Sequence, residues 1–508
     1  MNANKRVFLF VLFSLLIYIL LSLASYQYGF YWKPFDKINL LADVVVSQGQ
    51  KGFSGSAKKN DRAELSVPPQ FKEQDSLLGL SDMLDSLQTL SATPRDSNAD
   101  PDAGGTVGDK ALIPLPDSIK HFLEISAPKQ LIASTGDLTQ AALPHVMAKL
   151  EAIKEGKPKK LRIAYLGDSM IEGDLLSQTL RSLLQKQFGG RGVGFVPVTS
   201  PVAQFRQTVT ATTSGSAWRD IHFKNSKRGN FFFNGHMFFS SGAAKVRMRD
   251  NTYKDSSGYV SKYLLYSKSD SVAHLVVNGR EMELAPGSLF NKKLLSKDKG
   301  RNIEFSSLDT LLPIYGVTFE SENGVFVDNF SFRGISGLEF GQLKADFMRQ
   351  VAKENPYDLI IIQFGINVLY HADDTNFNWY KKLMIPVINR MKAGFPNSDF
   401  LIVSSSDRAF FYDGEYRSAK GVKSLVRTQA EIAYMTGCAF YNQFEAMGGE
   451  NSIIDWANQD PSLANKDYVH PNGRGMKILG TYLFDAFMKD LGKLKRSEAQ
   501  PEEEAVTP

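Results

Sequence analysis

Residue types suited to acyl transfer through a serine occur at widely separated positions of the sequence. They are Ser169, the glycines of the segment 334–337, Asn367, Asp467 and His470. A serine hydroxyl is a weak nucleophile until a base takes its proton, and a histidine base needs a carboxylate to fix its tautomer. Glycine and asparagine N–H groups can donate to the oxyanion of a tetrahedral intermediate. The set predicts esterase or acyltransferase chemistry, provided that the fold brings these residues together.

Ser169 follows an apolar run with the character of a buried strand. Ile163–Leu166 predicts this strand, and Leu175–Leu184 has the helical spacing of apolar residues. Ser169 then lies in a tight turn before a helix, where free N–H groups and the positive end of the helix dipole suit a nucleophile. The same position suits an N-cap serine, so the turn alone does not decide between catalysis and capping.

The other candidates also fit an alternating pattern of strands and helices. Asn367 follows the apolar segment 357–363, and Asp467 lies three residues before His470. Strands alternating with helices predict a parallel sheet with right-handed crossovers. Because ligands bind at the carboxyl ends of such strands, we expect Ser169 and Asn367 to meet at one edge of the sheet. Capping or core packing is the alternative role for His470.

The α/β pattern is interrupted by a long segment of different character. From 197 to 326 the chain has many short runs rich in Phe, Val, Tyr and Thr, separated by Gly, Asn, Asp and Ser. This spacing is typical of an all-β sandwich. We predict an α/β domain in two parts, 111–196 and 327–491, with the sandwich inserted between them. A charged tail, predicted to be disordered, follows at 492–508.

The N-terminus predicts export. Lys5 and Arg6 precede the apolar run Val7–Ala24, which is close to the roughly 20 residues needed to cross a bilayer. The positive charges predict that residues 1–6 stay in the cytoplasm, and a polar stalk is expected at 25–110. A cleaved signal peptide is the alternative to a retained transmembrane anchor. We expect the body of the protein in the periplasm, held at the bacterial inner membrane if the helix is retained.

The composition excludes several classes of function. The 508 residues carry a formal net charge of +5 and no dense Lys/Arg stripe, so no nucleic-acid partner is predicted. The single cysteine, Cys438, excludes an intrachain disulfide framework and a CxxC metal site. The seven histidines show no metal-ligand spacing. We therefore predict neither a metal nor a cofactor.

Four short motifs occur in the order found in the SGNH (GDSL-type) hydrolases. GDS at 167–169 resembles the first block of that family, and GISG at 334–337 resembles the second. GIN at 365–367 and DYVH at 467–470 resemble the third and the last. The resemblance extends from about residue 143 to residue 491. It implies a three-layer α/β fold with a central parallel sheet.

The resemblance also implies a role for each candidate. Ser169 is the nucleophile, His470 the general base and Asp467 the partner that orients it. The oxyanion donors are the Ser169 amide, the Gly337 amide and the Asn367 side chain.

Two details of the motifs leave alternatives open. Val368 stands where the third block usually continues with Asp or Glu. The Asn367 donor is kept and a neighbouring carboxylate is lost, so the difference concerns the contacts that support the loop more than the donor itself. Gly334 is the alternative oxyanion glycine to Gly337 if the register of the second block is different.

Within the family, the arrangement resembles the periplasmic peptidoglycan O-acetylesterases and the two-component polysaccharide O-acetyltransferases. Those proteins also carry a β-sandwich, similar to a carbohydrate-binding module, between the first and second blocks. The likeness implies a cell-wall or exported polysaccharide as substrate and, for a transferase, a membrane-bound O-acyltransferase as acetyl donor. Candidate substrate contacts are Arg408, Trp456, His371 and Trp218. Other aromatic residues of the insert, such as Tyr253 and Tyr259, are either sugar-stacking or core residues.

The motifs do not choose between an esterase, in which water removes the acetyl group, and a transferase, in which a sugar hydroxyl does. The predicted anchor slightly favours the transferase. A glycan-binding scaffold with a vestigial site and a general carboxylesterase or lipase are the alternatives. The intact set of candidate residues disfavours the scaffold, and the lack of a long apolar run beside the motifs disfavours the lipase.

Overall fold

A computed structural model describes most of the chain after residue 130. The described residues are 122, 131–134, 139–214, 217–227, 229–242, 244–254 and 257–499, with side chains up to 494. The predicted anchor at 7–24 and the predicted stalk at 25–110 lie outside them. Within the described ranges, no helix combines the length and the apolar character needed to cross a membrane.

The described residues form many strands and several helices. The strands are, in chain order, β1 (Ile132–Ala133), β2 (Lys160–Gly167), β3 (Gly194–Pro197), β4 (Val209–Thr213), β5 (Trp218–His222), β6 (His236–Ser240), β7 (Ala244–Asp250), β8 (Val260–Ser267), β9 (Ala273–Val277), β10 (Arg280–Leu284), β11 (Phe290–Asp298), β12 (Asn302–Ser307), β13 (Ile314–Glu320), β14 (Gly324–Ser331), β15 (Leu359–Gln363), β16 (Asp399–Val403), β17 (Ala409–Tyr412), β18 (Glu415–Ser418) and β19 (Ala439–Tyr441). The α-helices are α1 (Pro144–Lys154), α2 (Ser177–Phe188), α3 (Ala345–Glu354), α4 (Asn378–Gly394), α5 (Val422–Thr436), α6 (Gln443–Met447), α7 (Ser452–Asn458) and α8 (Gly473–Ala499).

The central sheet has the order β1-β19-β16-β15-β2-β14 and is parallel except for its edge strand β1. All five residues of β15 are buried, as expected of a strand that helices cover on both faces. Helices α1 and α2 pack against α8, while α4 packs against α3 and α5. The predicted α/β architecture is confirmed.

The segment between β3 and β14 folds as two antiparallel sheets, with orders β10-β9-β12-β7-β4 and β11-β8-β13-β6-β5. Strand β7 alternates strictly between buried and exposed residues, as expected when one face of a sheet lies on a core. The inward side chains of the two sheets form a hydrophobic cluster that is distinct from the one beside the central sheet. We call this part the β lobe.

The ends of the β lobe differ from the predicted boundaries 197 and 326. β3 already pairs with β13 of the lobe, whereas β14 pairs with β2 of the central sheet from Gly324 onward. The lobe therefore extends from Gly194 to Glu320. Both β13 and β14 are buried along nearly their whole length, so their composition does not distinguish the sheets to which they belong.

Buried charges join the β lobe to the central sheet. Arg162 of β2 pairs with Glu320 of β13 and, at 2.9 Å, with Asp328 of β14. Lys292 of β11 donates to Glu320 at 2.7 Å and to Asn355 at 2.8 Å, and burial lowers the pKa of Lys292 to about 6. Removing one partner of a buried pair costs several kcal/mol, so these contacts fix the lobe against the sheet.

The last helix is longer than predicted. α8 continues to Ala499, although a disordered tail was expected from residue 492. The segment 492–499 contains Leu, Lys, Arg, Glu and Ala, which all have high helix propensity. A polar composition was therefore a poor guide to the end of this helix.

Candidate active site

The central sheet has a topological switch point between β2 and β15. From β2 the chain adds β14 on one side and then crosses to β15 on the other. Gly167, Ser331 and Gln363 are register partners at the ends of these three strands. Ser169 and Asn367 therefore emerge at the same edge of the sheet. In open parallel sheets, ligands bind in the crevice outside such a switch point.

Ser169, His470 and Asp467 form a continuous hydrogen-bonded relay. Ser169 Oγ lies 2.9 Å from His470 Nε2, and His470 Nδ1 lies 2.8 Å from Asp467 Oδ2. The other carboxylate oxygen of Asp467 accepts the backbone N–H groups of Val469 and His470, each at 3.0 Å. These contacts close the DYVH segment into a turn. The turn presents the imidazole to the serine across 301 sequence positions.

The charge state of Asp467 suits this arrangement. Burial acts to raise the pKa of Asp467, but the hydrogen bonds from the His470 ring and from the two amides hold the pKa below its ordinary value. A carboxylate that stays ionised keeps the proton of the imidazole on Nδ1 and leaves Nε2 as the acceptor for the serine hydroxyl.

The turn after Ser169 is held by a buried carboxylate, Asp174. Arg181 donates to both oxygens of Asp174, at 2.7 and 2.9 Å, and the hydroxyl of Thr208 donates at 2.6 Å. Although burial acts to raise the pKa of Asp174, the charges of Arg181 and Arg206 hold it well below its usual range. Thr208 and Arg206 immediately precede β4, so the nucleophile turn is tied directly to the β lobe.

Asn367 contacts a residue that sequence reasoning did not single out. Its Nδ2 lies 3.0 Å from Asp168 Oδ2 and 3.0 Å from the Ile335 carbonyl. Asp168 is fully buried, and its other oxygen accepts the Met170 N–H at 2.9 Å. Both N–H groups of the Asn367 amide thus have acceptors within the protein, and an oxyanion would share one of them.

Asp168 is expected to make stability depend on pH. Burial raises its pKa to about 7 in the folded protein, above the value of about 3.9 in an unfolded chain. Its contribution to stability is fully present below the unfolded pKa and is lost as the pH rises through 7. The free energy of unfolding should therefore decline with rising pH, by at most about 1.4 kcal/mol per pH unit from this group. We expect Asp168→Asn to remove this contribution to the decline.

The measurement is urea unfolding between pH 5 and pH 8. The stability of the wild type should fall more steeply with rising pH than that of Asp168→Asn. Replacement of an exposed carboxylate, Asp373→Asn, serves as the control and should leave the wild-type slope. Equal slopes for wild type and Asp168→Asn would contradict the expectation.

Gly337 lies in the loop after β14 in the left-handed region, with φ +92°. A Cβ added there would approach the Phe364 ring to 2.6 Å. Within the described part of the chain, the N–H groups of Gly337 and Ser169 donate to no protein acceptor. Both remain available for a ligand oxygen. Gly334 also has a positive φ, of +71°, so conformation alone does not distinguish the two glycines.

Gly337→Ala is expected to reduce both stability and activity. The added methyl group must displace the Phe364 ring or the loop, at a cost of about 1–3 kcal/mol in folding free energy. A displaced Gly337 amide should lower kcat for an aryl acetate by about 100-fold. Gly279→Ala is the matched control, because Gly279 has a similar φ of +81° and open space around its Cα. Comparable loss of kcat in both variants would contradict a specific role for Gly337.

The fold and the geometry can be compared with known proteins. No family model and no curated sequence matches the chain. Among solved structures, a peptidoglycan O-acetylesterase superposes with a TM-score of 0.60 and 20% identity, over 71% of this chain and 99% of that chain. The two proteins share one fold. The resemblance predicted from the motifs is thereby confirmed at the level of the fold.

Other solved structures are similar over smaller parts of this fold. A family two carbohydrate esterase from Cellvibrio japonicus matches with a TM-score of 0.25 and 8% identity, over 56% of this chain and 99% of that chain. A salicylyl-acyltransferase from a tetracycline biosynthetic pathway matches with a TM-score of 0.26 and 12% identity, over 57% of this chain and 94% of that chain. At these scores, neither match informs the reading of this site.

Two of the predicted substrate contacts lie in or against the loop that carries Asn367. Arg408 donates from Nη1 to the carbonyls of Ile366 and Leu369, at 2.6 and 2.7 Å, and so holds the loop that carries Asn367. His371 is exposed later in the same loop, with its ring against Tyr370. The structure therefore gives Arg408 a contact with the protein itself, while His371 faces solvent.

The other two predicted contacts are core residues. Trp218 lies in the cluster of the β lobe, edge-on to Phe305, and only 9% of its surface is exposed. Trp456 of α7 lies in the cluster beside the central sheet, and its ring would meet a Cβ placed on Gly475 at 3.0 Å. Aromatic type alone could not separate these buried positions from exposed, sugar-stacking ones. The prediction of substrate contact is wrong for Trp218, because its ring belongs to the sandwich core.

Proposed function

We propose that this protein is a serine-dependent enzyme that moves acetyl groups on a cell-envelope polysaccharide. The observation that carries the proposal is the relay from Ser169 through His470 to Asp467, with distances of 2.9 and 2.8 Å, at the switch point of the sheet. A nucleophile, a base within hydrogen-bond reach and a third group that orients the base are the features of nucleophilic acyl transfer.

The residues assign each step of such a reaction. Ser169 Oγ attacks the acetyl carbonyl while His470 Nε2 accepts the hydroxyl proton, and the N–H groups of Ser169 and Gly337 receive the oxyanion. The tetrahedral intermediate collapses to acetyl-serine as His470 returns the proton to the leaving oxygen, which belongs to the glycan in an esterase and to the acetyl donor in a transferase. A second hydroxyl, from water or from a sugar, then attacks the acetyl-serine with His470 again taking its proton. Collapse of the second intermediate breaks the bond to Ser169 Oγ, and His470 returns the proton to that oxygen.

The substrate class is proposed from the shared fold and from the N-terminal sequence. The fold is shared with a protein named as a peptidoglycan O-acetylesterase, which makes an acetylated envelope glycan the first substrate to test. Lys5, Arg6 and the apolar run Val7–Ala24 support a catalytic body in the periplasm, attached to the inner membrane. In that location a membrane-bound O-acyltransferase could supply the acetyl group.

The fate of the acetyl group distinguishes an esterase from a transferase. The full-length protein in detergent would be given p-nitrophenyl acetate with and without oligosaccharide acceptors, and acetyl groups would be followed by mass spectrometry. Free acetate as the main product defines an esterase. Acetylated oligosaccharide, with slow turnover when no acceptor is present, defines a transferase. Turnover that does not depend on Ser169 would refute both.

A further inference from the structure

A row of exposed aromatic rings leads away from the catalytic histidine. Strands β17 and β18 form a hairpin in which Phe411 and Tyr416 are register partners. These rings are 62% and 45% exposed, their centroids lie 5.2 Å apart, and the Tyr416 ring lies 4.3 Å from that of Tyr468. Tyr468 stands between Asp467 and His470 in the DYVH turn. We call Phe411, Tyr416 and Tyr468 the aromatic row.

The opposite face of the hairpin is anchored to the loops of the candidate active site. Phe410 packs against the Arg408 guanidinium at 4.5 Å, and the hydroxyl of Tyr412 donates to the Ala372 carbonyl at 2.5 Å. The Ala409 N–H donates to the Tyr468 carbonyl at 2.9 Å. The hairpin therefore bridges the Asn367 loop and the His470 loop, while Phe411 and Tyr416 on its other face are exposed to solvent.

Tyr468 is held in a conformation that its side chain does not favour. Its φ is +53°, where a bulky residue is a genuine outlier and costs of the order of 1–3 kcal/mol. The two amides bound by Asp467 Oδ1 impose this turn. An asparagine or glycine would adopt it with less strain, so the requirements of the turn do not explain a tyrosine. The tyrosine side chain adds packing against the hydrophobic cluster beside the central sheet and a ring contact with Tyr416.

We infer that the aromatic row is a platform for the sugar rings that flank the acetylated residue of a glycan chain. The inference rests on the proposed function and adds the place where the rest of the polymer lies. Aromatic faces bind the apolar C–H faces of sugar rings, and the row begins at Tyr468, in the turn that carries His470, and continues outward.

A glycan fits this surface better than a protein partner does. The exposed part of the row is only two rings, Phe411 and Tyr416, whereas protein interfaces have a broad, fully buried core surrounded by a polar rim. The row also adjoins the turn that carries His470, so a chain that lies on the row passes next to the proposed base. A polymer whose own acetyl group reacts meets that geometry.

The test compares substrates of different chain length. Phe411→Ser/Tyr416→Ser and the wild type would be assayed on p-nitrophenyl acetate and on O-acetylated oligosaccharides of one to six sugars with glucose, N-acetylglucosamine, mannose and uronic acid backbones. We expect the ratio of kcat/KM on the longest accepted chain to that on p-nitrophenyl acetate to fall about tenfold in the variant. Met435→Ser is the control and should keep the wild-type ratio. Met435 is 56% exposed at the end of α5, just before β19 begins at the edge of the sheet opposite to the Ser169 and Asn367 loops.

Direct binding separates this inference from the proposed function. Calorimetry with Ser169→Ala and unacetylated oligosaccharides should show an affinity that increases with chain length. When Phe411 and Tyr416 are also replaced, the affinity should no longer depend on chain length. If chain length has no effect on the wild type, or if the double variant keeps the effect, the platform is refuted even when turnover depends on Ser169. The double variant could instead bind oligosaccharides as the wild type does and lose acetyl transfer only in native membranes. That result would assign the row to a protein partner and would also refute the platform. If turnover does not depend on Ser169 but the binding effect is seen, the proposed function fails and the platform stands.

Discussion

Ser169→Ala is expected to lower kcat for an acetyl ester by a factor on the order of 10⁶. The substitution removes the only atom that the relay places 2.9 Å from His470 Nε2, so no acyl-enzyme can form by this route. Activity that remains would come from water and the oxyanion donors acting on bound ester. Stability should change little, because the Ser169 hydroxyl makes its contact with a partly exposed imidazole rather than with a buried group.

The measurement is turnover of p-nitrophenyl acetate, combined with mass spectrometry of acid-quenched protein. The wild type should gain one acetyl group on the peptide that contains Ser169, and the variant should gain none. Ser424→Ala is the matched control, because the Ser424 hydroxyl donates to the Thr375 carbonyl in a loop contact unrelated to the relay. Turnover within tenfold of the wild type, or acetylation at another residue, would contradict the assigned nucleophile.

Sequence patterns predicted the parts of the site that depend on local structure. The strand before Ser169 and the helix after it are local features, and β2 and α2 form where periodicity placed them. Asp467 and His470 are separated by one turn, so their contact also follows from local spacing. The order of the motifs then predicted which strand ends lie together at the site.

Contacts that depend on strand order could not be predicted in this way. Asp168 and Asn367 meet because β15 pairs with β2 in a register that places Gln363 opposite Gly167. Nothing near either residue in the sequence indicates that register. The junction between β13 and β14 was misplaced for the same reason, since burial on both faces makes strands of different sheets alike.

Side-chain type was the least reliable guide to which aromatic rings are exposed. Trp218 lies in a core, whereas Phe411 and Tyr416 are exposed on a hairpin that sequence reasoning passed over. A turn signal was available there, because Asp413-Gly414 between two short aromatic runs is typical of a two-residue hairpin. Both turn residues have positive φ, of +47° and +95°, as that turn requires. Exposure of the rings, however, depends on how the hairpin packs against distant loops.

Asp467→Asn is expected to lower kcat by about 10⁴-fold while leaving the fold intact. Asp467 Oδ1 accepts two backbone amides and Oδ2 faces His470 Nδ1. In the variant, the amide oxygen must remain on the two backbone N–H groups, because an NH₂ group there would oppose two donors. The NH₂ group then faces Nδ1 and donates to it. The imidazole is forced into the tautomer that carries its proton on Nε2, so it presents a hydrogen to Ser169 instead of a lone pair.

The tautomer itself can be measured, which separates this cause from a displaced loop. Nitrogen-15 NMR of the imidazole groups, with His470 assigned by its loss in His470→Gln, should show Nδ1 protonated in the wild type and Nε2 protonated in Asp467→Asn. Asp373→Asn should show the wild-type spectrum and the wild-type kcat. Because the pKa of Asp467 is held below its ordinary value, the wild-type tautomer should persist as the pH falls to the point where the imidazole itself takes up a second proton. A variant that keeps Nδ1 protonated and turns over within tenfold of the wild type would show that Asp467 does not orient the base.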